Sequence, residues 1–81
     1  MTEAQLEQDI LKVFKEFSTK HKDMVLSLET RIDDLALDSL DTLDLLMQID
    51  NYFKISLPVE RFALCKNLQD VKRLIQSIAN I

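Results

Sequence analysis

Apolar residues recur along this chain at helical spacing in three stretches and lose that rhythm in between. Leu6, Ile10, Val13, Phe14 and Phe17 share one side of a 3.6-residue period, which predicts a first helix from about Glu3 to Phe17. Thr2 and Gln5 stand ahead of that stripe at the spacing of a capping box. Residues 18–37 read as a long connection, polar over 18–23 and then apolar at Met24, Val25, Leu26 and Leu28. So long a connection is unusual in a small protein unless its own side chains pack, and Ile32, Leu35 and Leu37 add apolar surface to pin it down. A second helix is predicted from Ser39 to about Tyr52, closed before Pro58 because proline disfavours helical backbone at the preceding residue. A short helical turn is expected after it, with Pro58 at the first position, where no N–H donor is needed. Phe62 and Cys65 would then turn inward. Asn67 is the expected cap of a last helix, in which Leu68, Val71, Ile75 and Ile78 form an apolar stripe. The expected architecture is all-α: a small four-helix bundle, three longer helices plus a short one, with a long first loop, in one domain spanning residues 1–81.

Composition agrees with that reading. Glycine is absent and proline occurs once, so turns that need positive φ are disfavoured and helices favoured. At 47% hydrophobic and 30% charged, the chain is globular rather than disordered. No run approaches the roughly 20 apolar residues of a membrane span, and no charged-then-apolar segment opens the chain, so a cytoplasmic protein is expected. The single cysteine, Cys65, excludes an internal disulfide and a cysteine-built metal cluster, and is expected to be a small buried residue. His21 lies in a polar stretch with nothing near it in sequence to orient it. No nucleophile–base pair can be placed, so neither catalysis nor a metal site is expected.

Charge changes the picture more. The net charge is −4, but residues 38–55 carry −3 while residues 56–81 carry +2. An acidic stretch of this kind argues against nucleic acid and for basic protein partners.

Candidate chemistry lies in that stretch, in Leu37-Asp38-Ser39-Leu40-Asp41. Asp38 suits the N-cap, where its carboxylate accepts a first-turn backbone N–H. Asp41 stands where a capping-box side chain reaches back to the cap, although Glu or Gln is usual there. Ser39 then occupies the first helical position with its hydroxyl toward water. A phosphoryl group on it would face free N–H donors and the positive end of the helix dipole. On these grounds alone Ser39 reads as an attachment point for a phosphate-linked group or, more ordinarily, as a solvated helix-start serine.

With the helical bundle in place, Asp38-Ser39-Leu40, extended by Asp41-Thr42-Leu43-Asp44-Leu45 and followed by Phe53 and Leu57-Pro58, resembles the acyl carrier protein family. The match runs without gaps from Asp34 to about Ile78. The resemblance implies that Ser39, flanked by Asp38 and Leu40, carries 4′-phosphopantetheine as a phosphodiester, added from coenzyme A by a phosphopantetheinyl transferase. The thiol of that arm would hold acyl groups as thioesters for acyl-loading, condensing or acyltransferase enzymes. The chain itself would be a monomeric carrier and not an enzyme. Asp38 argues against a carrier of aminoacyl or peptidyl groups, which usually lacks that aspartate.

The resemblance also implies a recognition face on the second helix. Leu45, Leu46, Ile49 and Phe53 would supply the inward side. Leu43 and Met47, with Asp41, Asp44 and Asp50 around them, would meet basic partner surfaces, although periodicity leaves open whether Leu43 and Met47 belong to the core. Leu46, Phe53, Phe62, Leu68 and Ile75 could line an acyl pocket, but close packing favours them as core. Two departures stand out. Ala36 occupies a position where the family commonly has glycine. The segment Val59-Glu60-Arg61-Phe62-Ala63-Leu64, with Lys66, Lys72 and Arg73, is more basic than in carriers of fatty-acid synthesis, which points toward a specialised lipid or polyketide pathway. The alternative is a helical adaptor that binds through Leu43 and Met47 and carries no prosthetic group.

Overall fold

The computed structural model describes residues 2–17, 26–35 and 37–80. The expectations for His21, Met24, Val25 and Ala36, and for the Phe17 side chain, lie outside the described residues. Four helices follow one another: α1 (Glu3–Phe17), α2 (Ser39–Phe53), α3 (Val59–Phe62) and α4 (Leu68–Ala79), with a 3-10 turn at Ile32–Leu35 ahead of α2. The all-α bundle of three longer helices and one short one is therefore present.

The apolar stripes become the core. Leu6, Ile10, Val13 and Phe14 of α1 are buried against Leu45, Leu46 and Ile49 of α2 and Leu68, Val71, Leu74 and Ile75 of α4. α1 packs on both α2 and α4, and α3 packs on α4 through Phe62. Each fully buried aliphatic or aromatic side chain contributes about 1.5–3 kcal/mol, set against the entropy of ordering the chain. At the start of α1, Thr2 Oγ1 accepts the Gln5 N–H at 3.1 Å. The Gln5 side chain does not complete the box; its amide donates to Asp9 Oδ1 at 2.9 Å. The buried Asp9 carboxylate of α1, by its hydrogen-bonding influence, and burial after it, push the Tyr52 phenol of α2 above its ordinary range.

The first loop is held by backbone rather than by side chains alone. Ile32 N–H donates to Lys66 O at 3.0 Å, Leu68 N–H to Thr30 O at 3.1 Å and Gln69 N–H to Leu28 O at 2.8 Å. Arg31 and Asn67 form an isolated antiparallel bridge at the centre of this ladder. Two of the donors that α4 would leave orphaned at its start are satisfied in this way. Asn67, the expected cap, accepts a third from Asp70 at 2.9 Å. Leu35, in the 3-10 turn, is buried, while Leu26, Leu28, Ile32 and Leu37 pack partly against the core.

Three expectations need correction. Pro58 is the N-cap of α3 and not its first helical residue: its ψ of 129° is extended, and the helix starts at Val59. Cys65 is half-buried rather than core, with its thiol donating to Arg61 O at 3.7 Å. Lys72 does not belong to an exposed basic end. It is only 4% exposed, and Nζ lies 2.8 Å from both Glu3 Oε1 and Glu7 Oε1 on α1. Its long stem runs along the core while its ammonium reaches the carboxylates, the usual behaviour of an amphipathic side chain.

Candidate functional site

Everything that positions Ser39 comes from the turn before it. Asp38 has extended backbone (φ −87°, ψ −176°), and its carboxylate accepts the Asp41 N–H at 2.7 Å. Asp38 O accepts the Thr42 N–H and the Thr42 hydroxyl, each at 2.9 Å. The return bond of the capping box, Asp38 N–H to Asp41 Oδ2, is long at 3.5 Å. Aspartate is one methylene shorter than the glutamate usual at that place, which accounts for the stretch. The cap therefore fixes the axis of α2, and Ser39 sits exposed at its first position.

Among the described residues, no acceptor takes the N–H of Ser39 or of Leu40. Both lie at the positive end of a helix of 15 residues. A phosphoryl oxygen on Ser39 would find those donors and that dipole, with no change to the cap. The residues present fit a phosphate-linked group on the hydroxyl.

Outward from Ser39, α2 presents an apolar face. Leu40, Leu43 and Met47 are 75%, 50% and 62% exposed. With Asp44, also exposed, they fall within about 100° of the helix circumference at 3.6 residues per turn. Leu43 and Met47 are thus surface and not core. Leu40 belongs with them, and the signal was its place off the Leu45, Leu46 and Ile49 stripe. Asp41 is half-buried and engaged in the cap. Asp50 is half-buried as well, and its carboxylate accepts the Leu57 N–H at 2.9 Å. Of the acids expected on this face, Asp44 is the one that stands clear of such a task.

A cleft of about 290 Å³ opens between the 3-10 turn, the first turns of α2 and α3, and Thr42 on its wall is one turn from Ser39. Ile32, Leu37, Val59, Phe62 and Cys65 give it a largely apolar lining. Of the five residues considered for an acyl pocket, Phe62 both lines this cleft and belongs to the core, Leu46, Leu68 and Ile75 are packed into the core, and Phe53 packs partly against it. Burial is the main cause that pushes the Cys65 thiol above its ordinary value, the Asp70 charge adds to it, and Arg61 opposes them. Among the described residues, no cluster of His, Cys, Asp and Glu could hold a metal ion.

Comparison with known proteins covers the stretch of chain that holds these residues. A family model described as the phosphopantetheine attachment site matches residues 8–75. The acyl carrier protein of Chlorobium phaeobacteroides is 35% identical over 60 residues, which covers 74% of this chain and 77% of that protein. The acyl carrier protein of Rickettsia massiliae is 31% identical over 75 residues, covering 93% of this chain and 87% of that one. A similar protein of Chlorobium phaeovibrioides, also an acyl carrier protein, is 33% identical over 60 residues.

Proposed function

The chain belongs to the acyl carrier protein family and has its phosphopantetheine attachment domain, and from that premise we propose that Ser39 is the residue that carries the group. A member of this family is a carrier and not a catalyst. The observation that carries the assignment is the placement of Ser39: exposed, first in α2, beside two N–H groups without an acceptor among the described residues. When bound, phosphopantetheine supplies a thiol on which acyl groups are held as thioesters.

The chain's own residues then have distinct tasks. The Ser39 hydroxyl provides the oxygen of the phosphodiester. Asp38, by taking the Asp41 N–H, holds the helix start so that this hydroxyl faces outward. Leu40, Leu43 and Met47 offer exposed apolar surface next to it, and Asp44 adds a negative charge. Charge at such a rim raises on-rates with basic partners more than it raises final affinity. A phosphopantetheinyl transferase and acyl-transferring enzymes with basic surfaces are the partners this face fits.

The pathway we favour is a specialised lipid or polyketide one in the cytoplasm. With Lys72 withdrawn into its ion pairs, Arg61, Lys66 and Arg73 are the exposed bases that support it. Among the described residues, no helix is long and apolar enough to cross a membrane.

The test is intact mass after incubation with coenzyme A and a broad-specificity phosphopantetheinyl transferase. Wild type gains one phosphopantetheine. A folded wild-type chain that gains nothing would favour the adaptor reading instead.

A further inference from the structure

A second cleft, of about 280 Å³, lies between α3 and α4, lined by Arg61, Leu64, Cys65, Asp70, Arg73 and Leu74. Its character is opposite to that of the α2 face. Arg61 is exposed and, among the described residues, has no ion-pair partner. Arg73 is exposed too, with its guanidinium 3.8 Å from Asp70 Oδ1, a loose contact. Asp70 is otherwise occupied: its Oδ2 accepts the Lys66 N–H at 2.9 Å. Leu64, which lines the same cleft, is 79% exposed, the most exposed large apolar side chain among the described residues. Neither the core nor the capping network uses Leu64, Arg61 or Arg73.

Cys65 lines this cleft and also the one that begins one turn from Ser39. The two clefts therefore share a lining residue.

We infer that the α3–α4 cleft is a second docking site, for a segment of a partner protein that combines carboxylates with an apolar side chain. Two exposed arginines lining a largely apolar groove match that chemistry, because arginine takes carboxylates in a planar, two-pronged geometry that lysine lacks. An anionic bilayer is the poorer occupant. The chain's net charge of −4 opposes approach to an extended anionic surface, whereas at physiological salt a short protein segment senses mainly the charges that line the cleft, Arg61 and Arg73 against Asp70. The site does not require Ser39 to carry anything, so it stands or falls separately from the carrier assignment.

The experiment follows backbone amide shifts of the isotope-labelled full chain, wild type and Ser39→Ala, on titration with a short capped peptide of glutamate and leucine at physiological salt, about 0.15 M. Saturable shifts at Arg61, Leu64, Cys65, Arg73 and Leu74, the same in both proteins, are expected. Arg61→Glu with Arg73→Glu should weaken binding about tenfold, the loss expected when two part-exposed ion pairs are removed and reversed. Arg61→Gln with Arg73→Gln should fall between, and it decides the matter if circular dichroism shows the reversal variant unfolded. Shifts spread evenly over all basic residues, or an affinity indifferent to both arginine pairs, would overturn the inference. So would phosphatidylglycerol vesicles binding through these arginines while the peptide does not. Peptide binding that persists in a chain with no mass gain would leave this site standing and sink the carrier assignment alone.

Discussion

The Asp50 carboxylate accepts the Leu57 backbone N–H at 2.9 Å, seven residues on, and so clamps the segment that leaves α2 to the helix it has just left. Leu57 is buried, and its N–H has little access to water. Asp50→Ala leaves that donor without its acceptor and should cost about 1–3 kcal/mol, read from urea unfolding. Asp50→Asn keeps an acceptor oxygen and should cost less. Because this carboxylate is engaged, Asp50→Asn should slow transferase loading less than Asp44→Asn does; the reverse order would return Asp50 to the partner face.

The exposed face of α2 should separate stability from function. Leu43→Ala and Met47→Ala each remove surface rather than core and should change unfolding free energy by no more than about 0.5 kcal/mol. Both should lower the rate of loading by the transferase. Asp44→Lys should slow association, and the deficit should shrink as salt is raised. A loss of several kcal/mol on truncating Met47 would show that it is packed.

Stability should be level in pH between two edges set by Lys72 and Glu3. The hydrogen bond from Lys72, and then its charge, hold the Glu3 carboxyl below its ordinary 4.5. A depressed carboxyl stabilises the fold above its unfolded pKa, and that stability drains as pH falls through the folded value. Hydrogen bonds to Glu3 and Glu7 raise the Lys72 ammonium above its ordinary 10.5, and their negative charge adds to it. A raised lysine stabilises below its unfolded pKa, and that stability drains as pH rises through the folded value. Lys72→Met removes both contributions, so its melting temperature should vary less with pH at each edge than that of wild type. Equal slopes for the two proteins would contradict the pairing.

Lys54 closes α2 in the left-handed region, at φ 56° and ψ 48°. A residue with a Cβ is strained there by about 1–2 kcal/mol, a penalty glycine does not carry. Lys54→Gly should therefore stabilise the protein by up to about 1 kcal/mol in urea unfolding, after the extra freedom of glycine in the unfolded chain is set against the relief. A β-branched residue at the same place should destabilise it.

Side-chain periodicity carried most of the fold. The Leu6, Ile10, Val13 and Phe14 stripe and the Leu68, Val71 and Ile75 stripe became the buried faces, and the Asp38 cap set the start of α2 where its chemistry demanded. The backbone ladder from Leu28, Thr30 and Ile32 to residues 66–69 was not legible, because peptide groups pair without a side-chain signature. Lys72 was counted as an exposed base because its partners, Glu3 and Glu7, lie far away in sequence. The bond from Asp50 to Leu57 was not legible for a related reason: it reaches seven residues on, beyond the three- and four-residue neighbours that helical patterning reveals. At the site, the motif pointed to Ser39, whereas the cleft beside Thr42 depends on how the 3-10 turn and α3 close over it.

The most direct test of the carrier assignment is fragmentation mass spectrometry of the loaded protein, with Ser39→Ala carried through the same reaction. The account predicts one phosphopantetheine, borne by the fragment that contains Ser39, and none on the variant, whose circular dichroism matches wild type. A folded Ser39→Ala chain that still takes up the group, or a modified fragment that excludes Ser39, would contradict it.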